Sequence, residues 1–283
     1  AATKLDFSTL CKLGGYLMTM VTWTRDGGSG PDDFAVFITS RGEVVVYQGI
    51  NPATPWTYVG LFQIGSPLGR RAATTVADDV VVITTDGFIQ LSKALPIART
   101  EAVPTFSDKI NGAVNSASTS YAANFGWEGI LYPQGRMALF NVPLIENQTA
   151  HQYVINTHTR SWCRFTGWNA NCFAIYQDNL YFGANNGIVY KADTGTVDGA
   201  ANIVGDVQTA FSQFGVPRLK KFMLVRPTMA SDGTVGPAVA MNIDYANIAA
   251  TGTPTTIVGA GVLWDTSLWD ASYWGSDELI ATD

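Results

Sequence analysis

Over most of the chain, apolar residues do not recur with a helical period. They come as short runs rich in β-branched and aromatic side chains, broken by polar dipeptides and glycine, which is the pattern of short strands joined by tight turns. Three segments align without gaps: Asp33-Phe-Ala-Val-Phe-Ile-Thr-Ser-Arg-Gly42, Asp78-Asp-Val-Val-Val-Ile-Thr-Thr-Asp-Gly87 and Asp178-Asn-Leu-Tyr-Phe-Gly-Ala-Asn-Asn-Gly187. In each, an Asp precedes a strand-like run and a Gly falls nine positions after it, leading into another apolar stretch at 44–47, 88–91 or 188–190. A weaker fourth copy places Gly135 between apolar runs at 130–132 and 137–140. Gly42, Gly87, Gly135 and Gly187 are 45, 48 and 52 residues apart. Glycine at a hairpin turn supplies the positive φ that such turns require, and Asp at the matching positions bonds to neighbouring backbone. Asp33, Asp78 and Asp178, with the four glycines, are therefore assigned to structural turns.

Hairpins at this period match one four-stranded propeller blade per repeat, with further strands at 56–64 and 153–165. A β-sandwich with evenly spaced hairpins is the competing architecture. Residues 105–124 break the pattern: Phe106, Ile110, Val114, Ala117 and Tyr121 fall on one helical face, with Ser107 and Asp108 at its start and Gly112 weakening it. The fold expected is mostly β: propeller-like blades of antiparallel strands over 1–197 with one inserted helix, then a small C-terminal β module over 198–283. In that module 222–226 and 239–245 read as strands. Trp264, Trp269 and Trp274 recur every five residues, a spacing that fits neither a strand nor a helix face, and read as interface aromatics on a looped segment.

Composition narrows the function. Only 14% of residues are charged and the net charge is −6, so the basic footprint of a nucleic-acid grip is missing; Arg218, Lys220 and Lys221 are the single basic cluster. Three cysteines, Cys11, Cys163 and Cys172, are an odd number without metal-site spacing and read as buried free thiols, although Cys163 and Cys172 could meet on neighbouring strands. His151 and His158 lack the partners of a triad or a zinc site and read as surface histidines. Residues 26–33 space carboxylates among glycines but lack the ligand order of a calcium loop. A glycosidase needs two carboxylates at one bond, whereas Asp33, Asp78 and Asp178 would be spread around a ring. No sialidase-type Ser-x-Asp-x-Gly-x-Thr-Trp box and no Gly-rich phosphate motif is present. No apolar run is long enough to span a bilayer. The expectation is a protein without catalytic, cofactor-binding or metal residues. Tryptophans able to stack on sugars keep a host-glycan-binding propeller, lectin-like or glycosidase-like, as the alternative. The start at Ala1, without a signal pattern, reads as a piece of something longer.

Taken in order, several motifs resemble the tail hub or nozzle proteins of short-tailed bacteriophages (podoviruses), the packed-DNA stabilisation type. They are Gly14-Gly-Tyr16, Trp23-Thr-x-Asp-Gly-Gly28, Gly30-Pro-Asp-Asp33, Val46-Tyr-Gln-Gly49, Gly69-Arg-Arg71, Asn124-Phe-Gly-Trp127 and Phe165-Thr-Gly-Trp-Asn-Ala170, followed by Tyr190-Lys-Ala-Asp193, Arg218-Leu-Lys-Lys-Phe222 and the tryptophan repeat. The resemblance runs from about Asp6 to Gly275, and the family's proteins extend further at both ends. It implies a propeller-like body in a homo-oligomeric, hexameric ring of the virion's tail, with adaptor and tail spike or fibre proteins as neighbours. Genome DNA would pass the channel without specific binding, and no cofactor or membrane insertion is implied.

Overall fold

The protein is described by a computed structural model, which covers residues 5–26, 31–49, 56–96, 105–195, 197–198, 201–215, 218–225, 228–231, 234–248, 250, 255–257 and 278–281. The fold is mostly β, its sheets are antiparallel, and no closed barrel forms among these residues. The chain divides into two compact units, Ala1–Thr196 and Val197–Asp283.

The first unit is four meanders laid down one after another. β1 (Leu17–Asp26), β2 (Pro31–Thr39), β3 (Glu43–Gln48) and β4 (Thr57–Gln63) pair in that order. β5 (Ala73–Val76), β6 (Asp79–Thr84) and β7 (Gly87–Gln90) make the second sheet, closed by a short helix α1 (Leu91–Ala94). A 3-10 turn at Asp108–Ile110 leads into α2 (Asn111–Tyr121), then β8 (Glu128–Tyr132), β9 (Met137–Ile145), β10 (Thr149–Asn156) and β11 (Trp162–Thr166) make the third sheet. β12 (Ala170–Tyr176), β13 (Asn179–Ala184) and β14 (Val189–Lys191) make the fourth. The leading strand of each sheet lies against that of the next: β1 beside β5, β5 beside β8, β8 beside β12.

The meanders pack face on face, which explains why their central strands read as continuous apolar runs. In β6, Val80 and Val82 face the first sheet while Val81 and Ile83 face the third, so every residue of the strand is buried. In β9, Leu139 joins the fourth sheet's Phe173, Leu180 and Phe182, whereas Ala138, Phe140 and Val142 join the second sheet's Phe88. A strand buried on both faces has no polar side to present, so alternation disappears. Phe88 stacks on Phe140 with ring centroids 4.4 Å apart. On the far side of the first sheet, Phe37 and Val45 are covered by Phe7, Leu10 and Cys11 of the N-terminal segment.

The inserted helix uses the face its spacing predicts. Val114 and Ala117 are buried between the second and third sheets, with Phe106, Ile110 and Tyr121 packed around them. Its start differs from expectation: Ser107 makes no capping bond. Instead the Ser107 hydroxyl accepts from the Phe88 amide at 3.3 Å, while the Phe106 amide donates to the Phe88 carbonyl at 2.7 Å. The segment entering the helix thus satisfies the free edge of β7.

In the second unit the described strands are short pairs: β15 (Val197–Asp198) with β16 (Ala201–Asn202), β17 (Thr228–Ser231) with β20 (Glu278–Ala281), and β18 (Thr234–Gly236) with β19 (Thr255–Ile257). The strands expected at 222–226 and 239–245 are absent: residues 222–225 and 239–243 lie outside any strand, and a turn falls at Asp244–Tyr245. β-propensity needs a ladder partner to become a strand, and these residues have none among the described ones.

Candidate functional site

The aligned glycines are the first features to place. Gly42, Gly87 and Gly187 take φ of +80°, +115° and +80°, each at the turn between the second and third strands of its sheet. The amides of Gly42 and Gly187 donate to Thr39 and Ala184, three residues back, at 3.0 Å. Gly135 does not belong with them. It lies in the turn between the first two strands of the third sheet, and the left-handed residue there is Arg136, with φ +50°. Glycine is needed at 135 for room, because a Cβ would stand 2.6 Å from the Tyr132 ring and the Met137 side chain. The true counterpart in the third sheet is Asn147, with φ +56° between β9 and β10. Asn tolerates that conformation, so the position carried no glycine to find.

The aspartates are corrected likewise. Asp33 is not at a turn: it pairs with Thr24 inside the β1–β2 ladder and accepts from that hydroxyl at 2.8 Å. Asp78 and Asp178 do sit in two-residue turns, beside Ala77 (φ +58°) and Gln177 (φ +47°). At the first of these, the side chain that bonds is the next one. The Asp79 carboxylate accepts from the amides of Val80 at 2.8 Å and Ser92 at 3.2 Å, and from the Ser92 hydroxyl at 2.5 Å. The Asp78 carbonyl accepts from the Trp23 indole at 3.1 Å, tying first sheet to second.

A groove of about 630 Å³ opens here, lined by Trp23, Asp78, Asp79, Phe106, Leu131 and Arg160 among others. Aromatic and acidic residues together invite comparison with a sugar site, and there both Asp79 oxygens already accept hydrogen bonds from Val80 and Ser92. His151 is buried, contrary to the surface position expected, and its Nε2 has no hydrogen-bond partner. Burial, and secondarily Arg164, hold its pKa below the usual value. His158 is exposed in the β10–β11 loop. The three cysteines are free, but Cys163 and Cys172 are exposed rather than buried. Among the described residues no three His, Cys, Asp or Glu side chains gather as a metal site requires, and no helix is long and apolar enough to cross a membrane. Residues 27–30 of the glycine-rich segment, and Trp264, Trp269 and Trp274, lie outside the described residues.

What the structure does assemble is a set of polar joints between sheets, none of which local pattern could locate. Arg71, just before β5, forms a 3.2 Å ion pair with Glu128 at the start of β8, and donates to the Asn171 carbonyl in β12 at 2.7 Å. Glu128 accepts in turn from the Phe173 amide at 3.1 Å. One guanidinium and one carboxylate thus link the leading strands of three sheets, and the same guanidinium lies over the Phe125 ring. Burial pushes the Glu128 pKa up, against the lowering effects of Arg71 and the Phe173 amide.

A second joint centres on the fully buried side chains of Asn141 and Gln152. Asn141 donates to the carbonyls of Gly126 at 2.8 Å and Ala170 at 3.0 Å, and Gln152 donates to Asn141 Oδ1 and to the Trp168 carbonyl, both at 2.8 Å. Asn124 donates to the carbonyls of Pro143 and Leu144 at 3.0 and 3.1 Å, and the Trp127 indole to that of Tyr121 at 3.0 Å. In the first sheet, buried Glu43 accepts from the amides of Lys12 at 2.7 Å and Leu13 at 3.1 Å, pinning the N-terminal segment.

No protein-family profile matches the sequence, and no curated protein matches it either.

Proposed function

We propose that this chain is a structural virion protein, a ring-forming subunit of the nozzle or hub of a short bacteriophage tail that lines or closes the DNA ejection channel. The observation that carries the reading is where the resemblance motifs fall. Gly69-Arg-Arg71 and Phe165-Thr-Gly-Trp-Asn-Ala170 supply Arg71 and the Trp168 and Ala170 carbonyls of the joints between sheets, Trp23 supplies another, and Asn124 and Trp127 of Asn124-Phe-Gly-Trp127 fasten the connection from α2 to β8 onto β9 and the end of α2. Four of the resemblance motifs thus contribute to the polar joints and connections of the first unit, which supports the reading. Each meander is read as a propeller-like blade, since successive sheets stack and their leading strands adjoin.

A conduit for DNA gains nothing from gripping phosphate, because every Lys or Arg contact releases counterions and adds affinity that must later be broken. A net charge of −6 suits sliding passage. Neighbours in this reading are other copies of the chain, adaptor proteins and spike or fibre proteins. The rival, a host-glycan-binding or glycan-cleaving propeller, is separated by a glycan array together with a hydrolysis assay on host polysaccharide. The structural reading expects neither specific retention nor turnover. Tight binding of one glycan class, or release of reducing ends, would replace it with the rival.

A further inference from the structure

The second unit carries four Lys/Arg, Arg218, Lys220, Lys221 and Arg226, against nine Asp/Glu, and so accounts for −5 of the chain's −6. All four cations fall within nine consecutive residues. The described part of this stretch, 218–225, belongs to no strand. Its apolar side chains stand in solvent: Leu219 and Met223 almost wholly, Phe222, Leu224 and Val225 about half or more. The strip is anchored near its middle, since Lys220 donates to the Gln213 carbonyl at 2.6 Å and the Phe222 and Phe214 rings lie 5.6 Å apart. Leu219 and Met223 would project to one side of an extended chain and Phe222 and Leu224 to the other, so both sides are apolar.

We propose that residues 218–225 form a docking strip for a second copy of this chain, adding to the partner as an extended β segment. Main-chain hydrogen bonds would supply affinity and the alternating side chains specificity. Charge complementarity names the occupant. A cationic, apolar strip calls for an acidic partner, and a second unit of the same sequence, at −5, is acidic, with short strand pairs for an extended segment to join. DNA fits less well, because interfaces with DNA are polar and strongly cationic, whereas five of these eight residues are apolar. The contact is head-to-tail, since a basic strip meets an acidic surface elsewhere on the next copy, and such contacts build rings when the rotation closes. The inference rests on the ring-subunit reading above and supplies its contact surface.

The test is sedimentation velocity on the full chain across the micromolar range at low and high salt. Variants Leu219→Ser/Met223→Ser and Arg218→Glu/Lys221→Glu are run alongside, with a thermal melt to show that the first unit stays folded. The wild type is expected to self-associate, and each double variant to weaken association by about tenfold or more. Salt is expected to weaken the wild type more than the charge-reversed variant. A wild type that stays monomeric throughout, or variants that associate as it does, overturns the docking strip. So does tight, salt-sensitive binding of a short DNA duplex that the charge variant abolishes, which would make the strip a phosphate contact. If any of these occurs while virions still show the chain in a symmetric ring, the strip alone is wrong and the nozzle reading stands.

Discussion

Gly42 and Gly187 share a φ of +80° yet differ in what surrounds them. A Cβ at 187 meets nothing within 4 Å, whereas at 42 it would stand 2.3 Å from the Ile64 carbonyl and 2.7 Å from that of Gly65. The pair therefore separates two costs that glycine avoids. Gly187→Ala should lose only the left-handed penalty, about 1–2 kcal/mol, and Gly42→Ala that penalty plus about 1–3 kcal/mol of steric displacement. Thermal melts of the two variants check the ordering, and equal losses would contradict it. Local chemistry of this kind was legible in the sequence because positive φ leaves a mark on residue choice. Where another residue tolerates the conformation, as at Asn147 and Arg136, the mark vanishes, and an alignment on glycine alone falls on the wrong turn of the third sheet. Glu43, Gln152 and the Arg71–Glu128 pair were illegible for a different reason. Their partners lie from about ten to a hundred residues away, and no local pattern reports them.

At the scale of elements, the repeat explains its own irregularity. The distance between equivalent turns stretches from Gly87 to Asn147 because α2 and its approach are inserted there, and it shortens again to Gly187. The helical period at 106–121 was readable since one face alone is buried. β6 and β9 were readable as strands, but not as strands buried on both sides, because an unbroken apolar run does not say how many sheets it touches. The expected strands at 222–226 and 239–245 show the limit of propensity without a partner. Gly112, by contrast, sits exposed in α2 with open space around its Cα and an ordinary helical φ. Gly112→Ala should stabilise the first unit by about 0.5–1 kcal/mol, seen as a raised melting temperature. No change, or a loss, would mean that α2 does not hold the helical backbone described.

For the whole molecule, four meanders of one unit share three cores and are cross-tied along their leading strands, while the outer side of the fourth sheet leaves Tyr176 and Val189 exposed. The polar joints oppose sliding of one sheet against the next, as the proposed channel wall would require. These joints, a low charge fraction and an acidic balance are what the proposed DNA passage would call for. The measurement that bears most directly on the proposed tail role is cryo-electron microscopy of intact virions produced from a genome that carries this gene. The account predicts that the four-meander unit fits density repeated as a symmetric ring around the tail axis, with the DNA path through its centre. Density for the chain as a single central copy, as a peripheral appendage clear of the DNA path, or nowhere in the particle would contradict it.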